Sequence, residues 1–167
     1  GFVSCDFRYA PFASKTLRYN YQKDYSEQEY GSMVAQCLGS AILADRIPNS
    51  YIEVQITVLE DGGCILADAI NAAIVATTNA GIEMLDLVSS CQIGIVNIES
   101  KVRILVDPTG LEPELIGTLT LAYSTSRSAI LKVFVDARGV EEHTLEEAMK
   151  WAIDGCQTVR ESMKQAL

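Results

Sequence analysis

The chain has 167 residues, of which 49% are hydrophobic and 21% are charged, and its formal net charge is −9. That length is enough for one domain with a substantial core, and that composition excludes an intrinsically disordered chain. The acidic balance excludes a nucleic-acid-binding surface that is basic all over, but it allows a local basic channel.

Cysteine and histidine usage indicates the redox environment and argues against a metal site. The five cysteines form no C-x-x-C pair and accompany a single histidine, His143. This pattern predicts buried, reduced thiols in the cytosol or nucleus, with no metal and no cofactor. No apolar run reaches the roughly 18 residues that cross a bilayer, so we expect no membrane partner.

The N-terminal stretch predicts a strand followed by a basic loop. Residues 2–10 alternate as a strand does, and Pro11 ends the pattern. Because Gly1 stands where a methionine is expected, we expect that an N-terminal piece is missing ahead of it. Between Phe12 and Lys23, basic residues are interleaved with tyrosines.

This basic loop is a candidate RNA-binding segment. Cations that neutralise phosphates and rings that stack on bases are what a single-stranded RNA path needs. The alternative is an exposed polar loop whose tyrosines pack at its base. The candidate RNA-binding residues are Arg8, Lys15, Arg18 and Lys23.

A helix and a second strand follow the loop. Ser26 and Glu29 form a capping-box pattern, and an apolar stripe at helical spacing continues from there toward Arg46 and Pro48. The alternating run 51–59 then predicts a strand.

The centre of the sequence predicts a turn and a buried helix. Asp61-Gly62-Gly63 suits a turn that needs positive φ, and residues 64–80 are apolar on nearly every side. Gly81 is typical of a helix end. From the pattern alone, this segment is a core helix without chemistry of its own.

The remainder predicts further strands and a final helix. Extended patterns cover 88–97, 102–107, 118–123 and 129–136, and a second capping box, Thr144 with Glu147, predicts the start of the last helix. With no linker or low-complexity segment, the economical interpretation is a single α+β domain over residues 1–167.

Separated motifs resemble the RNase PH family. The runs 59–63 (LEDGG), 69–73 (AINAA) and 80–84 (AGIEM) follow the order and spacing of that family. The runs 5–13 (CDFRYAPFA) and 155–157 (GCQ) are similar to ring subunits of the eukaryotic RNA exosome, in particular the mRNA-transport-regulator type. The resemblance implies an RNase PH fold, of the kind seen in domain 2 of ribosomal protein S5, with mixed sheets packed against helices. It also implies that the missing N-terminal piece holds the first strands of that fold.

The resemblance also implies that the phosphorolytic site is lost. Active members bind phosphate through the arginine of a GGTR motif, and here Cys64-Ile65 follows the two glycines. Their two essential aspartates correspond to Pro113 and to Thr118 or its neighbour. The degenerate family positions are therefore Asp61, Cys64, Ile65, Asp107, Glu112, Pro113 and Thr118, of which Asp107 and Glu112 keep their carboxylates.

By resemblance, the function is that of a non-catalytic ring subunit that threads RNA and scaffolds partners. The implied partners are other RNase PH-like ring subunits, S1/KH cap subunits and RNA, and the implied location is the nucleus, nucleolus and cytoplasm. One alternative is an active phosphorolytic 3′-to-5′ exoribonuclease. Another is an unrelated enzyme that uses Glu60 and Asp61 as acids, unless Asp61 only makes a hydrogen bond within its turn.

Overall fold

The computed structural model describes residues 1–13, 25–98, 101–109, 115–137 and 139–167. Its strands are β1 (Phe2–Tyr9), β2 (Tyr51–Val58), β3 (Val88–Ile98), β4 (Lys101–Val106), β5 (Leu115–Ser124) and β6 (Ala129–Ala137). Its helices are α1 (Tyr25–Ala41), α2 (Ile65–Asn79) and α3 (Glu142–Ala166), with a short 3-10 helix at Ala44–Arg46. The predicted α+β class is confirmed.

The strands form two separate sheets. β1 and β2 pair in parallel over their full length, from Phe2 opposite Tyr51 to Tyr9 opposite Val58. α1 connects these strands and packs on β1, where the buried carboxylate of Glu27 accepts a 2.7 Å hydrogen bond from the Tyr9 backbone N–H. The remaining strands form an antiparallel sheet in the order β4-β3-β5-β6.

The antiparallel sheet is covered by helices on both faces. Cys91, Ile93 and Ile95 of β3 pack toward α3, whereas Val88 of β3 and Ala122 of β5 join the core that α1 and α2 form. β3 is consequently buried over its first nine residues. This double coverage lets apolar residues point to both faces of β3, so its sequence does not alternate as that of a half-buried strand does.

α2 is buried on one side only, which corrects the expectation of a helix enclosed all round. Ile70, Ala73 and Ile74 are buried, but Ala72 and Ala76 are exposed. The chain that enters α2 from β2 leaves it toward the other sheet, so this helix connects the two sheets.

The capping predictions for the outer helices are wrong in position. α3 already begins at Glu142, with extended Glu141 as its N-cap, so Thr144 lies inside the helix. α1 is helical at Tyr25, so Ser26 also lies inside. α1 ends at Ala41 rather than near Arg46 because the Ala41 carbonyl accepts the Leu85 N–H at 2.8 Å and the next residues pair with the segment before β3.

Cys37, Cys64, Cys91 and Cys156 are buried, as predicted for structural thiols, whereas Cys5 is half-buried. No helix within the described ranges is long and apolar enough to span a membrane.

Candidate functional site

The turn before α2 is built by its own aspartate. The Gly63 N–H donates a 3.1 Å hydrogen bond to Asp61 Oδ1, and Gly63 has φ of 116°, which an L side chain rarely adopts. If Asp61 only stabilises its own turn, and is not a catalytic acid, it must make a hydrogen bond of this kind. The chain enters α2 immediately afterwards, with Cys64 as N-cap and Ile65 as the first helical residue.

A cleft of about 550 Å³ lies beside this turn. Ile65 and Thr118 both line it, although they belong to different elements, α2 and β5. The structure therefore brings together the residue that the resemblance assigns to the family's phosphate-binding arginine and the residue at or beside which it predicts one of the family's aspartates. At both positions the side chain is uncharged.

Gln92 of β3 holds the turn against the sheet, a role that sequence reasoning missed. Its Nε2 donates to the Gly63 carbonyl, its Oε1 accepts from Thr120 Oγ1, both at 3.4 Å, and its backbone carbonyl accepts the Asp107 N–H at 2.9 Å. The sequence carries no distinct signal for this role, because Gln92 is one of several polar residues in β3, and its need for partners follows from its burial in the fold.

The charged groups on the cleft are acids. Glu29 of α1 and Asp136 of β6 line it, and none of its described lining residues is lysine or arginine. Burial raises the pKa of the Tyr30 hydroxyl, and the negative charges of Glu29, Asp61 and Asp136 raise it further. Arg103 lies on β4 and does not line the cleft.

Cys64 and Asp107 are not among the residues that line this cleft. Cys64 Sγ donates to the Pro108 carbonyl at 3.2 Å. Burial, a hydrogen bond with Asp107 and the charges of Asp107 and Asp68 raise the pKa of the thiol well above its usual range. Such a thiol stays protonated and is a poor nucleophile or metal ligand.

Burial and then the charge of Asp107 also raise the pKa of Asp68, so these carboxylates are close enough to repel each other. Across the described part of the chain, no group of three or more histidine, cysteine, aspartate or glutamate residues is placed to hold a metal ion.

The other predicted site residues lie elsewhere. Arg8 is exposed on β1 and pairs with Asp6 at 3.0 Å. Glu60 lines a shallow hollow of about 300 Å³ between the end of β2 and α2, and Asp61 is not among the residues that line it. Some predicted residues fall outside the described residues, namely Lys15, Arg18, Lys23, Glu112 and Pro113.

Comparison with known families confirms the fold. The sequence model for domain 1 of the RNase PH 3′ exoribonuclease family matches residues 1–83, and the model for domain 2 matches residues 86–155. The solved structure of Rrp46 from rice (Oryza sativa) has a TM-score of 0.81 at 18% identity, covering 99% of this chain and 72% of that chain. The interpretation of residues 1–167 as one domain stays a prediction.

Curated relatives confirm the resemblance to one type of ring subunit. The exosome complex component MTR3 of Mus musculus is 33% identical over 168 residues, covering 100% of this chain and 61% of that protein. The human MTR3 has the same identity and coverage. An RRP41-like exosome component of Arabidopsis thaliana is 26% identical, with 100% and 62% covered. The chain thus spans about three fifths of the length of these relatives.

Proposed function

The chain belongs to the RNase PH family of 3′ exoribonucleases, and on that premise we propose that it is a non-catalytic structural subunit of the RNA exosome core ring. Relatives that match its full length are exosome complex components, including MTR3 of mouse and human. In this role it supports 3′-to-5′ RNA processing and degradation, rRNA processing included, by scaffolding partners and threading RNA.

One observation carries the non-catalytic part of the proposal: among the described residues, the cleft at the degenerate site has no cationic side chain to attract phosphate. Ile65 stands at the arginine position, and the charged lining residues are Glu29 and Asp136. A charge-assisted hydrogen bond to an arginine contributes about 1.5–3 kcal/mol, and nearby carboxylates repel a phosphate besides. The missing arginine and the nearby carboxylates both weaken the binding of inorganic phosphate, which is the attacking group in phosphorolysis.

Thr118 weakens the case for catalysis further. Phosphoryl transfer depends on positioning and on charge stabilisation by metal ions or acids. A threonine hydroxyl supplies neither the charge of a carboxylate nor a strong metal ligand. Asp107, which keeps its carboxylate, lies outside the cleft.

Assembly with related subunits follows from the same family membership. We assign as partners the other RNase PH-like ring subunits, S1/KH cap subunits and RNA, and we assign the nucleus, nucleolus and cytoplasm as locations. Affinity purification of the full-length protein from its source cell, followed by mass spectrometry, tests the assignment. Recovery of RNase PH-like subunits supports it, and recovery of the protein alone contradicts it.

A turnover assay tests the loss of activity. The purified full-length protein, incubated with single-stranded RNA, phosphate and magnesium, should release no nucleoside diphosphate. Release that disappears in the Asp61→Asn variant would show a working phosphorolytic site and would replace this proposal with the enzymatic alternative. Release that persists in that variant would indicate a contaminating nuclease.

A further inference from the structure

The cleft beside the Asp61–Gly63 turn combines carboxylates, aromatic rings and apolar side chains. We propose that it binds a cationic side chain, arginine in preference to lysine, presented by an extended segment of a partner protein. The inference concerns the same cleft as the proposed function and rests on its loss of phosphate binding. The proposal assigns a cation, arginine, to the cleft in which the family resemblance would place an anion, phosphate.

The acids come from two walls of the cleft. Glu29 projects from α1 and Asp136 from β6, and both are exposed. Both act on the Tyr30 hydroxyl, whose pKa is raised by burial first and then by Glu29, Asp61 and Asp136, so their charges converge on one region. Within the described residues, no lysine or arginine forms an ion pair with Glu29 or Asp136.

Aromatic rings give this region the chemistry of a cation site and not only of an acidic surface. Tyr30 and Phe134 are half-buried and both line the cleft. A guanidinium stacks on an aromatic face while its N–H groups reach carboxylates in its own plane. An ammonium lacks this planar arrangement of donors, which is the reason to expect arginine ahead of lysine.

The apolar part of the wall indicates that the cation belongs to a protein segment. Met33 and Ile65 are half-buried and line the same cleft. These side chains can cover apolar residues on either side of an arginine. A free polyamine has no such residues. A volume of about 550 Å³ also holds more than one side chain.

A short peptide provides the direct test. The full-length protein is attached sparsely to a sensor surface, so that self-association is suppressed, and acetyl-Val-Arg-Val-amide is passed over it. The matched control peptide carries citrulline, which keeps the shape of arginine without its charge. Spermidine and inorganic phosphate are run separately over the same surface.

Paired substitutions assign the binding to the cleft. The variant with Glu29→Gln and Asp136→Asn removes the two acids of the cleft. The control variant, Glu146→Gln with Glu161→Gln, removes two exposed acids of α3 that do not line it. We expect the arginine peptide to lose at least about tenfold in affinity in the cleft variant and none in the control, and the citrulline peptide to bind at least about tenfold more weakly than the arginine peptide.

Each other outcome is decisive. Absence of arginine-peptide binding, or equal binding by the wild type and the cleft variant, overturns the inference. Spermidine that binds as tightly as the peptide, and loses binding in the same variant, overturns the assignment to a protein segment. Phosphate that binds in the cleft contradicts the proposed function instead. Failure of the peptide without phosphate binding leaves that function standing.

Discussion

At the scale of single residues, Asp86 is a densely hydrogen-bonded side chain outside the cleft. Its carboxylate accepts hydrogen bonds from Ser124 Oγ at 2.6 Å, Ser126 Oγ at 2.8 Å and Arg160 Nη2 at 3.1 Å. Its side chain is 7% exposed. Asp86 therefore ties the segment before β3 to the β5–β6 turn and to α3.

We predict that Asp86 stabilises the fold in a pH-dependent way. Burial opposes its ionisation, but hydrogen bonds from Ser124, Ser126 and backbone N–H groups prevail and lower its pKa to about 2. Since the folded pKa lies below the unfolded value of about 3.9, this contribution is complete above about pH 5 and disappears as the pH falls toward 2. The Asp86→Asn variant should lose about 3 kcal/mol at pH 7, measured by urea unfolding.

The control for this prediction is Glu146→Gln, an exposed acid of α3. It should leave the free energy of unfolding within about 0.5 kcal/mol of the wild-type value. Unfolding curves for Asp86→Asn should also change less than those of the wild type between pH 4 and pH 2. Equal acid sensitivity of the two proteins would show that other carboxylates control the acid transition.

At the scale of elements, the contact between α3 and β3 depends on a missing side chain. A Cβ added at Gly155 would lie 2.6 Å from Cys91 Sγ, closer than real atoms approach. Cys91 is buried, so the sulfur has little room to move. By contrast, a Cβ added at Gly39 of α1 meets nothing within 4 Å.

These helical glycines give a matched pair of predictions. Gly155→Ala should destabilise the protein by about 1–3 kcal/mol because it overpacks the core. Gly39→Ala should stabilise it by up to about 1 kcal/mol, since alanine is the better helix former and no contact opposes it. Denaturant unfolding of both variants measures the difference. In a Cys91→Ala background the cost of Gly155→Ala should shrink; an unchanged cost would place the strain elsewhere.

At the scale of the whole molecule, apolar surface predicts association. Phe2 and Tyr51 are 64% and 62% exposed and stack at 5.6 Å between ring centroids on the parallel β1–β2 pair, a type of sheet that proteins usually cover. Expressed alone, the protein should self-associate at micromolar concentration, because obligate interfaces of related rings bury about 2,000 Å² or more. Analytical ultracentrifugation measures this, and a stable monomer would contradict it.

The basic N-terminal segment between Phe12 and Lys23 leads to the last prediction. Replacing Lys15, Arg18 and Lys23 with alanine in the assembled complex should weaken RNA binding, since each phosphate that is no longer neutralised reduces the salt slope by about 0.7 for a single strand. The net charge of −9 has little effect on RNA binding at this segment, because charges more than about 8–10 Å away are screened at physiological salt. Filter binding over a salt series measures the slope. If the triple variant binds RNA with unchanged affinity and an unchanged salt slope, these three cations do not contact RNA.

Most of the element pattern follows from the sequence because its causes are local. The alternation of residues 51–59 predicted β2 within a residue of its observed bounds, and the glycines at 62, 63 and 81 bracket α2 as expected. The cap positions failed for α1 and α3, where helical residues begin earlier than the Ser26 and Thr144 patterns indicated. Local capping patterns recur inside helices, so they do not define a start alone.

The sequence by itself determined that an isoleucine follows the GGC turn and that the family's arginine is absent, since a motif of adjacent residues needs no fold to be recognised. Only the tertiary structure placed Glu29, Thr118 and Asp136 around one cleft, because α1, β5 and β6 meet through packing between distant segments. It also decided that Gln92 holds the turn. Burial and hydrogen bonding depend on neighbours in space, and a linear pattern does not specify those neighbours.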